Sequence, residues 1–277
     1  MTDTRLLRSD GISINNIYLS YKKELVFNGL NLSVKKGSIV TMVGPNGCGK
    51  TTLLKIINGS LKQHHGTVFI DGKNSETIPN MEMAKTLSYV PQLHRSSFPF
   101  SVLDVVLTGR MPYISIFSTP GKQDIEKACC ILEFLEISHF AHRPYTQISG
   151  GERQMVMIAK ALVQEPDFLL LDEPTSFLDL KNQIHVLKTI TTLSKTRNIT
   201  VLMTLHEPNH AMLFSDEVIL LRKLEAVKNE KIPVRVDNIV VSGTPEKVMT
   251  PAKIFEAYGI HVDIVEHNGK KVIVPVV

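Results

Sequence analysis

Residues 44–51 read Gly44-Pro45-Asn46-Gly47-Cys48-Gly49-Lys50-Thr51. They fit G-x-x-x-x-G-K-[ST], a pattern that constrains the chain because it works only between a strand and a helix. Both flanks comply. Ile39-Val40-Thr41-Met42-Val43 is short, apolar and β-branched, bounded by Gly37, and reads as a buried strand. Thr52-Leu53-Leu54-Lys55-Ile56-Ile57 reads as a helix closed by Asn58-Gly59. In such a turn the backbone N–H groups of Gly44 and of Asn46 to Gly49, with that of Thr52, can curl around phosphate oxygens. The helix N-terminus adds its partial positive charge. Lys50 is expected to reach the outer phosphates, and Thr51 to offer its hydroxyl to Mg²⁺.

A second chemical signal lies downstream. Phe168-Leu169-Leu170-Leu171 is a continuous apolar run, as expected of a strand inside a parallel sheet, and it ends in Asp172-Glu173-Pro174. Acids at the carboxyl end of a parallel strand lie where doubly wound folds bind ligands. Asp172 suits a water-mediated hold on Mg²⁺, and Glu173 can take a proton from an attacking water. Ser149-Gly150-Gly151-Glu152 forms a capping box, with Ser149 and the glycine N–H groups making a further anion site at a helix start.

These motifs sit in an α/β chain. Ile12–Tyr21 partly alternates and Leu30–Val34 alternates cleanly, with Lys22-Lys23 as a turn, which gives an antiparallel β subdomain; 66–71 and 87–90 read as more strand. From Leu93 to Ile148 the texture turns helical. Ser101-Val102-Leu103-Asp104 is a capping box, and Ile125, Ala128, Cys129, Leu132 and Leu135 or Glu136 space as one apolar face. A helical subdomain over about 93–165 is thus expected within an α/β core over 12–245. The segments 199–204, 217–221 and 239–241 read as strands. The charged stretch 222–238 reads as a hairpin tip. A C-terminal extension over 246–277 is expected to pack on the core, with one helix around 245–258 and strands at 260–265 and 271–276.

A 277-residue chain with 43% hydrophobic residues can build one large core and a smaller subdomain. Its net charge of +4 contains no Lys/Arg block, which suits phosphate ligands or a membrane surface without demanding nucleic acid. The three cysteines make no disulfide framework. The stretch Met1-Thr2-Asp3-Thr4-Arg5 lacks a signal peptide's apolar core. No apolar run reaches the roughly 18 residues of a membrane span. The expectation is a cytoplasmic protein that meets a membrane only through partners.

In order along the chain, these motifs resemble the ATP-binding subunits of ABC transporters. The resemblance implies the P-loop NTPase ABC fold, with ATP and Mg²⁺ as cofactors. It makes Lys50, Glu173 and His206, the switch histidine, the catalytic candidates. Thr51, Gln92 (the Q-loop glutamine of Tyr89-Val90-Pro91-Gln92) and Asp172 become the metal candidates. Tyr21 stands where the family stacks an aromatic ring on adenine. Ile148-Ser149-Gly150-Gly151-Glu152-Arg153-Gln154 matches the ABC signature, with Ile148 for the usual leucine and Glu152 for the usual glutamine. Ser176-Phe177-Leu178-Asp179 matches the D-loop, with Phe177 where a small residue is usual. In the family the signature meets the γ-phosphate held by another subunit, so the implied active form is a head-to-tail homodimer. The further partners are a membrane permease dimer, which holds the subunit at the cytoplasmic face, and an extracytoplasmic binding protein.

The stretch Val102-Leu103-Asp104-Val105-Val106-Leu107-Thr108-Gly109-Arg110-Met111-Pro112-Tyr113 resembles the V-x-x-G-R-x-P segment of importers for iron-siderophores, haem and vitamin B12, as do Gly243-Thr244-Pro245-Glu246 and Tyr258-Gly259. An importer for molybdate, manganese or zinc, or an iron-sulfur assembly ATPase, stays open. Phe98, Phe100 and Tyr113 are expected to line or support a permease-docking groove, or else to fill the core of the insert. His206-Glu207-Pro208-Asn209-His210 spells H-E-x-x-H, but Pro208 disfavours the helix that a zinc site needs. His64, His65, His139 and His142 read as surface or packing residues. Cys48, at a helix start, could have a lowered thiol pKa or be an ordinary loop residue.

Overall fold

The structure is a computed structural model and describes residues 10–21, 24–92, 99–115, 117–224 and 238–276, with Tyr21 described by its backbone alone. The expected Lys22-Lys23 turn, Phe98 and the tip of the 222–238 hairpin lie outside the described residues. The chain runs through β1 (Gly11–Tyr21), β2 (Glu24–Lys35), β3 (Ile39–Val43), α1 (Lys50–Ile57), β4 (His65–Ile70), β5 (Lys73–Asn74), α2 (Asn80–Thr86) and β6 (Leu87–Val90). Next come α3 (Val102–Leu107), α4 (Lys122–Phe134), α5 (Gly150–Val163), β7 (Phe168–Leu171), α6 (Leu180–Arg197), β8 (Thr200–Thr204) and α7 (Pro208–Phe214). It closes with β9 (Glu217–Leu221), β10 (Ile239–Gly243), α8 (Pro245–Val248), α9 (Pro251–Tyr258), β11 (Val262–His267) and β12 (Lys270–Pro275).

The chain divides into two compact units, one of residues 1–78 with 200–277 and one of residues 79–199. In the first, β1 pairs antiparallel with β2 and β4, and β5 extends that sheet from β4. In a second sheet β3 runs parallel to both β8 and β9, and β10 pairs antiparallel with β9. All five residues of β3 and of β8 are buried, which suits their mostly apolar sequences, with threonine as the polar residue in each. Polar groups inside this sheet are satisfied: the Thr41 and Ser215 hydroxyls lie 2.6 Å apart, and Asp216 accepts from the Ile39 N–H at 2.8 Å.

The second unit joins the parallel pair β6 and β7 to a cluster of helices. α3 and α5 each start with the expected capping box, at Ser101–Asp104 and Ser149–Glu152. The apolar face of α4 is corrected. Ala128, Ile131, Leu132 and Leu135 are buried, while Ile125 and Cys129 are exposed. The face is rotated because Ile131, not Ile125 or Cys129, turns toward the interior with Ala128 and Leu135. The sequence pattern does not announce α6, whose buried stripe of Val186, Leu187, Ile190 and Leu193 is narrow and set among threonines and lysines.

The C-terminal region is corrected in detail. The single helix expected around 245–258 is two, because Thr250 is extended and Pro251 restarts the helix at its first turn. The hairpin strands are Val262–His267 and Lys270–Pro275, joined by Asn268-Gly269, both at positive φ as a two-residue hairpin turn requires.

Candidate functional site

In the first unit, β3 delivers the chain into a turn whose glycines are sterically required. A Cβ on Gly44 would lie 2.6 Å from the Leu221 carbonyl oxygen and 2.9 Å from Cys48 Sγ. One on Gly49 would meet the Phe27 ring at 2.8 Å, and Gly49 itself holds a φ of 103°. α1 starts there with no side-chain cap, so no carboxylate or hydroxyl competes for its partial positive end. Lys50 opens the helix and is buried. Its Nζ donates to the carbonyls of Gly44 at 2.7 Å and Pro45 at 3.2 Å, which keeps the ammonium within the span of the loop.

Cys48 is buried against this turn, and burial pushes its thiol pKa up, more than nearby Lys50 lowers it. Of the two readings of Cys48, the direction of the shift disfavours the lowered pKa: desolvation outweighs Lys50 and the backbone hydrogen bonds. His206 lies two residues past the end of β8 and is exposed, while α7 starts only at Pro208. His210 is inside that helix and buried, and burial lowers its pKa against the opposing pull of Glu207. The two histidines of H-E-x-x-H thus share no helical face. Tyr21 ends β1 opposite Glu24, and its side chain lies outside the described residues.

In the second unit, the Asp172 N–H donates to the Val90 carbonyl at 2.9 Å, which continues the β6–β7 ladder and fixes the acid at the strand end. Asp172 and Glu173 are both buried. The Tyr89 hydroxyl faces Asp172 Oδ2 at 3.4 Å. Burial first, and then the Asp172 charge, push the tyrosine pKa far above that of a free phenol, so it stays a neutral donor. Gln92, just past β6, donates its amide to Glu173 Oε2, and Ser176 Oγ donates to the same oxygen at 2.9 Å. Glu173 holds a φ of 49° and Phe177 one of 64°, so a strained turn carries the carboxylate. A carboxylate fixed by two donors on one oxygen is oriented as a base is. The sequence places Ser176 in the D-loop and Tyr89 before Gln92 without assigning either a contact with the acids. The signal for Ser176 is its place three residues after Glu173, within reach of a side-chain turn.

Also in this unit, Ser149 caps α5, its Oγ accepting from the Glu152 N–H at 3.3 Å, while Glu152 Oε2 accepts the Ser149 N–H at 2.6 Å. Ser149 and Gly150 are exposed, and a Cβ on Gly151 would approach Asn182 to 3.3 Å. Asp179 caps α6 through the Asn182 N–H at 2.8 Å. Phe177 is 78% exposed. Tyr113 donates to the Gln164 carbonyl at 2.9 Å and lies 4.0 Å under the Arg110 guanidinium; it and Phe100 are both exposed.

Comparison with known proteins adds a lineage to this geometry. The profile of the ABC transporter family matches residues 27–176. An uncharacterised ABC transporter ATP-binding protein of Methanocaldococcus jannaschii is 38% identical over 265 residues, covering 96% of this chain and 98% of that one. The iron(3+)-hydroxamate import ATP-binding protein of Bacillus subtilis is 34% identical over 92% of this chain and 90% of its own. The molybdate import ATP-binding protein of Haemophilus influenzae is 38% identical over 76% of this chain and 79% of its own. Among solved structures, a metal-chelate type ABC transporter in an inward-facing conformation superposes with a TM-score of 0.81 at 30% identity, covering 97% of both chains. A bacterial ABC transporter cassette solved as a dimer superposes at 0.68 with 29% identity, covering 80% of this chain and 99% of that one.

Proposed function

This chain belongs to the ABC transporter ATP-binding family, and we propose that it is the ATP-hydrolysing subunit of an importer for an iron-siderophore or similar metal chelate. The observation that carries the hydrolytic part is Glu173, buried at the end of β7 with its carboxylate fixed by Gln92 and Ser176. Two findings support the importer part: the hydroxamate import relative over nearly the whole chain and the metal-chelate transporter among the structures.

ATP is the substrate. Its phosphates are assigned to the loop Gly44, Pro45, Asn46, Gly47, Cys48 and Gly49, to Lys50, and to the first-turn residues Thr51 and Thr52; Tyr21 is assigned to the adenine. Mg²⁺ is assigned to Thr51 of the first unit and to Asp172 and Gln92 of the second, whose hydroxyl, carboxylate and amide oxygen are the hard ligands this ion takes. When bound, the ion neutralises charge on the β- and γ-phosphates. Glu173 takes a proton from water as the water oxygen bonds to the γ-phosphorus. The bond from that phosphorus to the bridging oxygen breaks, giving ADP and phosphate. His206 donates a hydrogen bond to the γ-phosphate. Ser149, Gly150, Gly151 and Asp179 are assigned to the nucleotide of a second copy, a reading supported by the dimeric cassette among the structural neighbours. Among the described residues no helix is long and apolar enough to cross a membrane. On the strength of its import relatives, the subunit is assigned to the cytoplasmic face, held by a permease dimer that works with an extracytoplasmic binding protein.

The test is uptake into vesicles that contain the chain with its permease and binding protein. ATP-dependent accumulation of a ferric hydroxamate is expected. Accumulation of molybdate instead would move the assignment to the second reading, which the molybdate import relative favours.

A further inference from the structure

The loop that carries His206 is short, and it leaves β8 where the Leu205 N–H donates to the Met42 carbonyl at 3.1 Å. α7, which follows it, spans only Pro208–Phe214 and has no side-chain cap. A helix of that length does not hold itself together in water. Besides the buried His210 and Ala211, Asn209 ties its first turn to the C-terminal hairpin. Its Nδ2 donates to the Ile273 carbonyl at 3.1 Å, and its Oδ1 accepts the Ile273 N–H at 2.8 Å, so one side chain pairs with the backbone as a strand would. Ile273 is buried in β12 and faces Ile264 of β11 across the hairpin.

The same C-terminal segment reaches the phosphate loop. Glu256 of α9 pairs with Arg222 at 2.7 Å, one residue after the Leu221 carbonyl that crowds Gly44. The Tyr258 hydroxyl is sealed from solvent beside the Gly44 backbone, and burial first, then the charges of Cys48 and Glu207, raise its pKa. The C-terminal segment therefore touches the phosphate turn through α9 and the His206 segment through β12.

We infer that Asn209 is a positioning residue for His206: the C-terminal hairpin, through the Asn209–Ile273 pair, sets where the His206 loop stands against the phosphate loop. This rests on the assignment of His206 above. The bland alternative is that the pair only stabilises the hairpin, and a double-mutant cycle separates the two. In the full chain, Asn209→Ala is expected to lower kcat about tenfold with the KM for ATP within about twofold, the mark of an interaction used in the transition state. In a His206→Ala background the same change should alter kcat by less than about twofold, because the two residues act as one unit. Full kcat in Asn209→Ala overturns the inference, and so does a tenfold loss that persists without His206. Asn209→Asp, nearly isosteric, is expected to lose kcat in the same sense should the alanine variant fail to fold.

A second readout needs no turnover. Amide hydrogen exchange over residues 205–214 should speed up in Asn209→Ala while residues 44–52 keep their wild-type protection. Unchanged exchange over 205–214 overturns the inference. An unmodified chain that hydrolyses no ATP would instead overturn the proposed function, so the two failures are distinct results.

Discussion

Replacing Arg110 by alanine removes a side chain that three elements of the second unit share. Its Nε donates to Asp124 at 2.9 Å, and its Nη1 to the Val163 carbonyl at 2.8 Å and to Glu165 at 3.0 Å; its guanidinium also stacks on Tyr113. The residue is 5% exposed. Removing one member of a buried ion pair costs about 3–5 kcal/mol. The lower end applies here. Glu165 keeps Lys127 at 2.6 Å and is 47% exposed, and Asp124 keeps the Gly121 N–H at 3.0 Å. The lost cation–π contact adds about 0.5–1 kcal/mol. We expect a loss of about 3–4 kcal/mol, read as a lower midpoint in urea followed by far-UV circular dichroism. Arg110→Lys should recover about half, since an ammonium keeps the charge but not the planar fork. The loss also has a pH signature. The hydrogen bond from Arg110 holds the Asp124 carboxyl below the usual carboxylate range. A depressed folded pKa stabilises fully above the unfolded value and is lost as pH falls through the folded one. The gap between wild type and Arg110→Ala should therefore narrow below about pH 4. A loss under about 1 kcal/mol at neutral pH, or a gap independent of pH, would refute the reasoning.

Three further outcomes follow from the site. Alkylation at neutral pH should label Cys129 and Cys130 quickly and Cys48 only on unfolding, because Cys48 is buried with a raised pKa; fast labelling of all three thiols contradicts this. Ser149→Arg should abolish hydrolysis while nucleotide still binds the phosphate loop, and hydrolysis by a strictly monomeric preparation would sink the two-copy assignment. Exchanging Phe100 and Tyr113 together for serine should uncouple uptake while the isolated subunit still hydrolyses ATP; full uptake by that double variant removes both from permease docking.

The parts of this molecule legible in the sequence are those whose causes are local. The glycine loop, the capping boxes at Ser101 and Ser149, and the acids ending β7 each declare themselves within a few residues, because a turn, a helix start and a buried strand impose their own residue types. What stayed hidden depends on distant chain. Asn209 and Ile273 are 64 residues apart, Gln92 and Glu173 are 81 apart, and no local pattern joins them. α6 escaped because its apolar stripe is narrow and its threonines favour strand as readily as helix. The face of α4 was misread because Ile125 and Cys129 fit the helical period as well as Ile131 does, and only packing decides between them.

The central claim is that Glu173 is the base of an ATP hydrolysis reaction. The most direct test is the ATPase rate of purified Glu173→Gln beside its affinity for ATP. The amide keeps the size of the side chain but cannot take a proton from water. The account predicts nucleotide binding close to wild type, an ATP-bound dimer that persists, and turnover below about a hundredth of wild type. Wild-type turnover in Glu173→Gln would contradict it.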